Sequence, residues 1–176
     1  MKVIFLDVDG VLTSDYYVNS ETNDIDINKV KLLQEIKEET GAKIVLNSSY
    51  KNYKGKDKNK NPYNLLEGLL KKFNIDIYDI TPILKRKPLK KGIDPETGLK
   101  IIDVAADPYT TRAGAVYKWL NEHEDVESFV IIDDISSYYD FFNYEDNFIK
   151  VNREIGLTKE NTHDAIDILN NRTKKR

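Results

Sequence analysis

The chain has 176 residues, no cysteine, 27 basic against 30 acidic side chains and 40% hydrophobic residues, enough for one sizeable core and too little for two. Without cysteine there is no disulfide scaffold, thiolate metal site or cysteine nucleophile, and with only His123 and His163, far apart in the chain, a multi-histidine metal cage is excluded too. No apolar run approaches the roughly 18 residues that would span a membrane, and the opening MKVIFLDVDG meets acids too early for a signal peptide, so a soluble cytoplasmic protein is expected.

Residues 2–6 (KVIFL) are β-branched and aromatic and end in acids, which predicts a buried strand. A Thr-, Ser-, Asn- and Tyr-rich stretch over 11–25 is irregular. Val30, Leu33 and Ile36 then recur at helical spacing, with Asp26 or Asn28 as N-cap and Gly41 as the stop. AKIVL (42–46) predicts a second strand, ending at Asn47-Ser48-Ser49. After a lysine-rich loop, Pro62 opens a helix carrying Leu65, Leu66, Leu69, Leu70 and Phe73, and IDIYDI (75–80) predicts a third strand.

Residues 84–111 break this rhythm. DPETG at 94–98, between KKGI and LKIIDV, predicts a hairpin, and 86–109 is expected to be an insertion in a single domain spanning 1–176. A helix starts near Thr110–Thr111, SFVII (128–132) is a fourth strand ending at Asp133-Asp134, NFIKV (147–151) a fifth, and a last helix covers roughly 159–170 before a polar, frayed tail. This alternation predicts an α/β fold: a Rossmann-like parallel five-stranded sheet with helices on both faces.

In such sheets ligands bind beyond the carboxyl ends of the strands, where strand order reverses. Asp7 and Asp9, Asn47 to Ser49, and Asp133 with Asp134 all fall at such ends. Acids leaving a buried strand cost desolvation unless they are paired. The same event after two strands favours a shared cation, and hard carboxylate oxygens suit magnesium.

VIFLDVDGVL resembles the first motif of the haloacid dehalogenase-like (HAD) phosphatase superfamily, IVLNSSY its second, Arg112 its basic third and VIIDD its acidic fourth. SSY(K), the R-x5-KWL helix and GLTKENTHDAIDIL together resemble the small-capped HAD domain of Swiss Army Knife RNA-repair proteins, across most of residues 2–170. The chain differs from that group at Asn47, where a small hydroxyl residue is usual, and in the 86–109 insertion. The resemblance implies a small cap or none, and a magnesium-dependent phosphatase working through an aspartyl-phosphate. Asp7 would be the nucleophile and Asp9 the general acid-base. Magnesium would sit on Asp7, Asp9 and Asp133, with Asp134 beside them. Ser48, flanked by Asn47 and Ser49, would hold the phosphoryl oxygens, and Arg112, with Lys118 as the alternative, would neutralise their charge.

Ten of the 27 basic residues lie in 51–60 (KNYKGKDKNK) and 85–91 (KRKPLKK). A run of this kind is ordinarily a solvated connector. Both runs follow strand ends on the catalytic edge, however, and Tyr50, Tyr53 and Tyr63 are interleaved with the first as possible stacking partners for bases. Phosphorylated nucleic-acid ends or nucleotides are the expected partners. The competing expectations are a receiver-like phosphoacceptor module, which needs an adjacent acid pair after strand one, and a non-catalytic nucleic-acid-binding or scaffold domain of the same fold. Trp119 is expected in the core, Asp140 as an ordinary loop acid, and both histidines in solvent.

Overall fold

Five parallel strands run β3-β2-β1-β6-β7 across one sheet. They are β1 (Lys2–Leu6), β2 (Lys43–Leu46), β3 (Ile77–Ile80), β6 (Ser128–Asp133) and β7 (Phe148–Lys150). The computed structural model describes residues 1–56, 61–84, 91–93, 100–102, 108–135 and 139–171. Between β3 and β6, β4 (Lys91–Ile93) and β5 (Lys100–Ile102) pair antiparallel, with Lys91 opposite Ile102 and Ile93 opposite Lys100. The sequence pattern on either side of DPETG predicts this pairing, while the turn itself lies outside the described residues, as do 57–60 and 85–90 of the two lysine-rich runs.

Helices α1 (Ile27–Thr40), α2 (Pro62–Lys71), α3 (Arg112–Asn121) and α4 (Lys159–Leu169) cover the sheet unequally. Successive strand side chains point to opposite faces, so Ile4, Leu6, Ile44, Leu46, Val130 and Ile132 form one core with Leu33, Leu66 and Ile166 of α1, α2 and α4. Val3, Phe5, Val45 and Ile131 form the other, against Ala113, Val116 and Trp119 of α3. Trp119 is in the core as expected, with its ring edge-on to Phe5 at 5.3 Å. Truncating a fully buried side chain such as Leu6 to alanine costs about 2–5 kcal/mol.

Local signals hold the elements in register. The Asp26 side chain caps α1 by accepting from Asn28 N at 2.8 Å, and Gly41 ends it in the left-handed region at φ 68°. Strand order reverses at β1. Sequential strands step from it through β2 to β3, and the chain then returns to its other side as β6. The crevice between β1 and β6 is therefore the switch point. The hydrogen-bond ladder continues one residue past the strands on this edge: Asp7 N donates to Ile132 O at 3.0 Å, Asn47 N to Leu6 O at 2.8 Å and Thr81 N to Leu46 O at 3.0 Å. Three side chains are thus fixed by backbone bonds at the rim.

Candidate active site at the strand ends

Asp7 and Asp133 are each only 1% exposed and lie side by side at the ends of β1 and β6. Together with Asp134 they bring carboxylate oxygens within 4.8 Å of one another. All three donors are hard oxygens, and an uncompensated cluster of carboxylates is unfavourable, so the donor set fits a hard divalent cation. Gly10 makes room for the Asp134 carboxylate. With φ at +75°, a Cβ there would fall 2.6 Å from Asp134 Oδ2. Arg153 steadies the rim, with Nη1 3.5 Å from Asp134 Oδ2 and Nε 3.4 Å from Asp15 Oδ1.

Arg112 enters from the first turn of α3. Its Nη1 pairs with Asp7 Oδ2 and lies 3.4 Å from Asp133 Oδ2. The Thr111 hydroxyl caps this helix by accepting from Gly114 N at 3.2 Å. Gly114 lets the preceding turn pack against the helix, because a Cβ there would lie 2.5 Å from Pro108 O. Lys118 stands in the last turn of the same helix with its side chain exposed. The helix rises 1.5 Å per residue, which separates Lys118 from the carboxylates. Of the two basic residues, Arg112 is the one that meets the carboxylates.

The electrostatics follow from burial. Desolvation pushes the Asp133 pKa up to about 7, reinforced by Asp7 and opposed by Arg112. Asp7 is likewise raised by burial, with Arg112 the main opposing influence. Burial works against the charge on Arg112, but Asp7 and Asp133 outweigh it and hold the guanidinium above its ordinary pKa.

The β2 side of the crevice is uncharged apart from one lysine. Asn47 is buried and its amide is engaged: Nδ2 donates to Tyr139 OH at 3.1 Å, and Oδ1 accepts from Thr81 Oγ1 at 2.8 Å. Tyr139 OH in turn donates to Asp133 Oδ2 at 2.9 Å. Burial, then Asp133, raises the tyrosine pKa far above 10 and keeps it a neutral donor. Asn47 thus joins the segments after β2, β3 and β6 to one another, and Ser49 is exposed. Ser48 differs from both. Its Oγ and Asp7 Oδ1 are buried, and neither completes a hydrogen bond, although the hydroxyl is near enough to help lower the carboxyl pKa.

Asp9 is partly buried and opens onto a cleft of about 300 Å³ lined by Thr13, Asp15, Tyr17, Asn23, Asp24 and Tyr50. Tyr50 belongs to the core, with its hydroxyl accepting from Asn23 Nδ2 at 3.0 Å, and burial followed by Asp9 raises its pKa to about 12. Tyr63 is buried as well, so of the three tyrosines expected to stack on bases only Tyr53 is exposed. Lys51 is also buried, which corrects the expectation of a wholly solvated run, whereas Lys54 and Lys56 are exposed. His123 is not free in solvent either: its ring stacks on Trp119 at 3.6 Å and Nδ1 lies 2.7 Å from Trp119 O. His163 and Asp140 are exposed.

The structure thus brings Asp7, Asp133, Asp134, Arg112 and Ser48 to one crevice, with Asp9 on the adjoining cleft. It adds Tyr139 and Thr81, which carry no motif signal, and Lys51, which closes the SSY(K) pattern without an assigned role. Only the tyrosine pair after the second acid doublet and the lysine after Ser-Ser-Tyr mark them in the sequence.

Among the described residues no helix is long and apolar enough to cross a membrane. No curated protein and no solved structure matches the chain. A family model does, over residues 3–162, and its description is HAD domain in Swiss Army Knife RNA repair proteins. With its strand-end acids, its parallel sheet and a match over most of its length, the chain belongs to that HAD family.

Proposed function

We propose that the protein is a phosphoric monoester hydrolase that forms an aspartyl-phosphate on Asp7. The observation that carries this is a buried Asp7 held by Arg112, clustered with Asp133 and Asp134, and retaining one oxygen without a hydrogen-bond partner. A carboxylate oxygen of Asp7 attacks phosphorus while the bond to the leaving oxygen breaks, and Asp9 gives that oxygen its proton. Asp9 then takes a proton from the water that cleaves the acyl phosphate, releasing orthophosphate and restoring Asp7. Arg112 keeps Asp7 ionised and meets the charge that develops on the phosphoryl oxygens. The Ser48 hydroxyl is available to donate to one of them.

Asp7, Asp133 and Asp134, with the main-chain carbonyl of Asp9, are the groups that would hold magnesium. When bound, the ion offsets the repulsion between an anionic nucleophile and an anionic phosphate. A phosphorylated nucleic-acid end or a nucleotide is the substrate class we favour, supported by the RNA-repair setting of the family. The test is hydrolysis of p-nitrophenyl phosphate and of 3′- and 5′-phosphorylated oligonucleotides, with and without magnesium. Turnover that is lost in EDTA and restored by magnesium is expected. Turnover that persists after exhaustive chelation, or that is absent on every phosphomonoester, overturns the proposal.

A further inference from the structure

Lys51 is 8% exposed where Lys54 and Lys56 of the same run are exposed, and its ammonium is turned inward. Nζ donates to Thr81 Oγ1 at 2.6 Å and to Pro82 O at 3.1 Å, and neither acceptor carries a charge. An ammonium has three donors, so this arrangement leaves one for another partner. Burying it is unfavourable, and a methionine would fill similar space without a desolvation cost. Burial, then Arg112, lowers the lysine pKa to about 8 against the opposing influence of Asp7, which places the ammonium within electrostatic reach of the candidate nucleophile and its guanidinium.

Local geometry explains the direction of the side chain. Ser48 precedes a short 3₁₀ turn over Ser49–Tyr53, and Lys51 N donates to Ser48 O at 3.2 Å. The Ser48 side chain makes no capping bond to that turn. Ser48 Oγ and Asp7 Oδ1 are buried side-chain atoms with unmet hydrogen-bonding capacity. The Thr81 hydroxyl that accepts from Lys51 donates to Asn47 Oδ1, and the Asn47 amide leads through Tyr139 to Asp133. Two cations, from α3 and from the turn after β2, therefore lie within electrostatic reach of Asp7, and both connect to Asp133, one directly and one through hydrogen bonds.

Resting on the phosphatase reading, we propose that Lys51 is a phosphate-binding residue, a second cation that donates to an oxygen of the phosphoryl group opposite Arg112. Thr81 is its positioning residue. A phosphate dianion bound at Asp7 supplies the countercharge that Thr81 and Pro82 do not, and it completes the third donor of the ammonium.

The experiment measures orthophosphate binding calorimetrically, with magnesium present, in the wild type, Lys51→Met and Lys51→Arg, alongside thermal unfolding. Losing a charge-assisted hydrogen bond should weaken phosphate by about tenfold or more in Lys51→Met. Arginine should restore affinity to within a few-fold. The melting temperature of ligand-free Lys51→Met should equal or exceed that of the wild type, because an unfavourable buried charge is gone. Wild-type phosphate affinity in Lys51→Met overturns this role while leaving the phosphatase reading intact. A wild type that neither binds orthophosphate nor hydrolyses phosphomonoesters overturns both. Should Lys51→Met fail to fold, ¹³C-lysine spectra of the wild type and Lys51→Arg decide. The lysine resonance missing from the arginine variant should shift on addition of orthophosphate, and an unmoved resonance overturns the proposal.

Discussion

The two cations beside Asp7 are held in opposite ways. Arg112 meets two carboxylates, which raise its pKa and keep it permanently charged. Lys51 meets a hydroxyl and a carbonyl, and burial brings its pKa down to about 8. The difference follows from the strands behind them. β1 and β6 end in acids, so a guanidinium reaching that side becomes part of an ion cluster. β2 and β3 end in Asn47, Ser48 and Thr81, so an ammonium there is tethered by neutral groups and keeps a donor in reserve. One half of the crevice is organised by charge and the other by hydrogen-bond geometry.

The largest effect that would break this picture is expected at Asp7. Asp7→Asn should abolish phosphatase turnover while leaving the circular dichroism spectrum unchanged, and retained turnover would remove the covalent mechanism. Arg112→Met should lower kcat by roughly 10²–10³, the usual size of one preorganised charge-stabilising group. It should also lower the melting temperature without magnesium, since Asp7 and Asp133 then face each other uncompensated. An Arg112→Met variant with wild-type kcat would leave Lys51 as the working cation and reverse the comparison.

Gly10→Ala sharpens the acid half. The new Cβ meets Asp134 at a left-handed φ, so about 1–3 kcal/mol of destabilisation and a higher magnesium requirement are expected. A magnesium titration of activity and a urea melt measure both.

The acid half also predicts a pH dependence for magnesium-free protein. Asp133 is raised from 3.8 to about 7 on folding, so the native state binds more protons than the unfolded chain between those values. Stability then falls as pH rises through that window and levels off above it. Melting curves in EDTA from pH 4.5 to 7.5 should show the decline, and Asp133→Asn should flatten it. The smallest effect is expected at exposed Lys118, where alanine should change stability by less than about 0.5 kcal/mol and leave turnover unaltered.

Much of the acid half was legible before any coordinates. Asp7, Asp133 and Asp134 each follow an apolar strand, and strand ends on one edge of a parallel sheet converge by topology alone. Arg112 was preferred to Lys118 for its place at a helix start, and the structure sets it against Asp7. The hydrogen-bonded half was not legible. Lys51 looks like its lysine neighbours, Asn47 looks like a phosphate ligand beside Ser48, and Thr81 and Tyr139 sit in no motif. Tyr50 and Tyr63, interleaved with the first lysine-rich run, look like stacking partners for bases, yet both are buried.

What the sequence by itself determined is therefore the part encoded in local pattern. Hydrophobic period, caps and turn residues set the elements, and their alternation sets a parallel sheet with a functional edge. What only the tertiary structure decided is which side chains on that edge point inward and with what partner. Lys51 turns in because a short turn after β2 carries it over Thr81 at the end of β3, thirty residues later. Asn47 is engaged because Tyr139 arrives from beyond β6. Those contacts join segments remote in the chain, and the desolvation that makes them matter is a property of the packed interior.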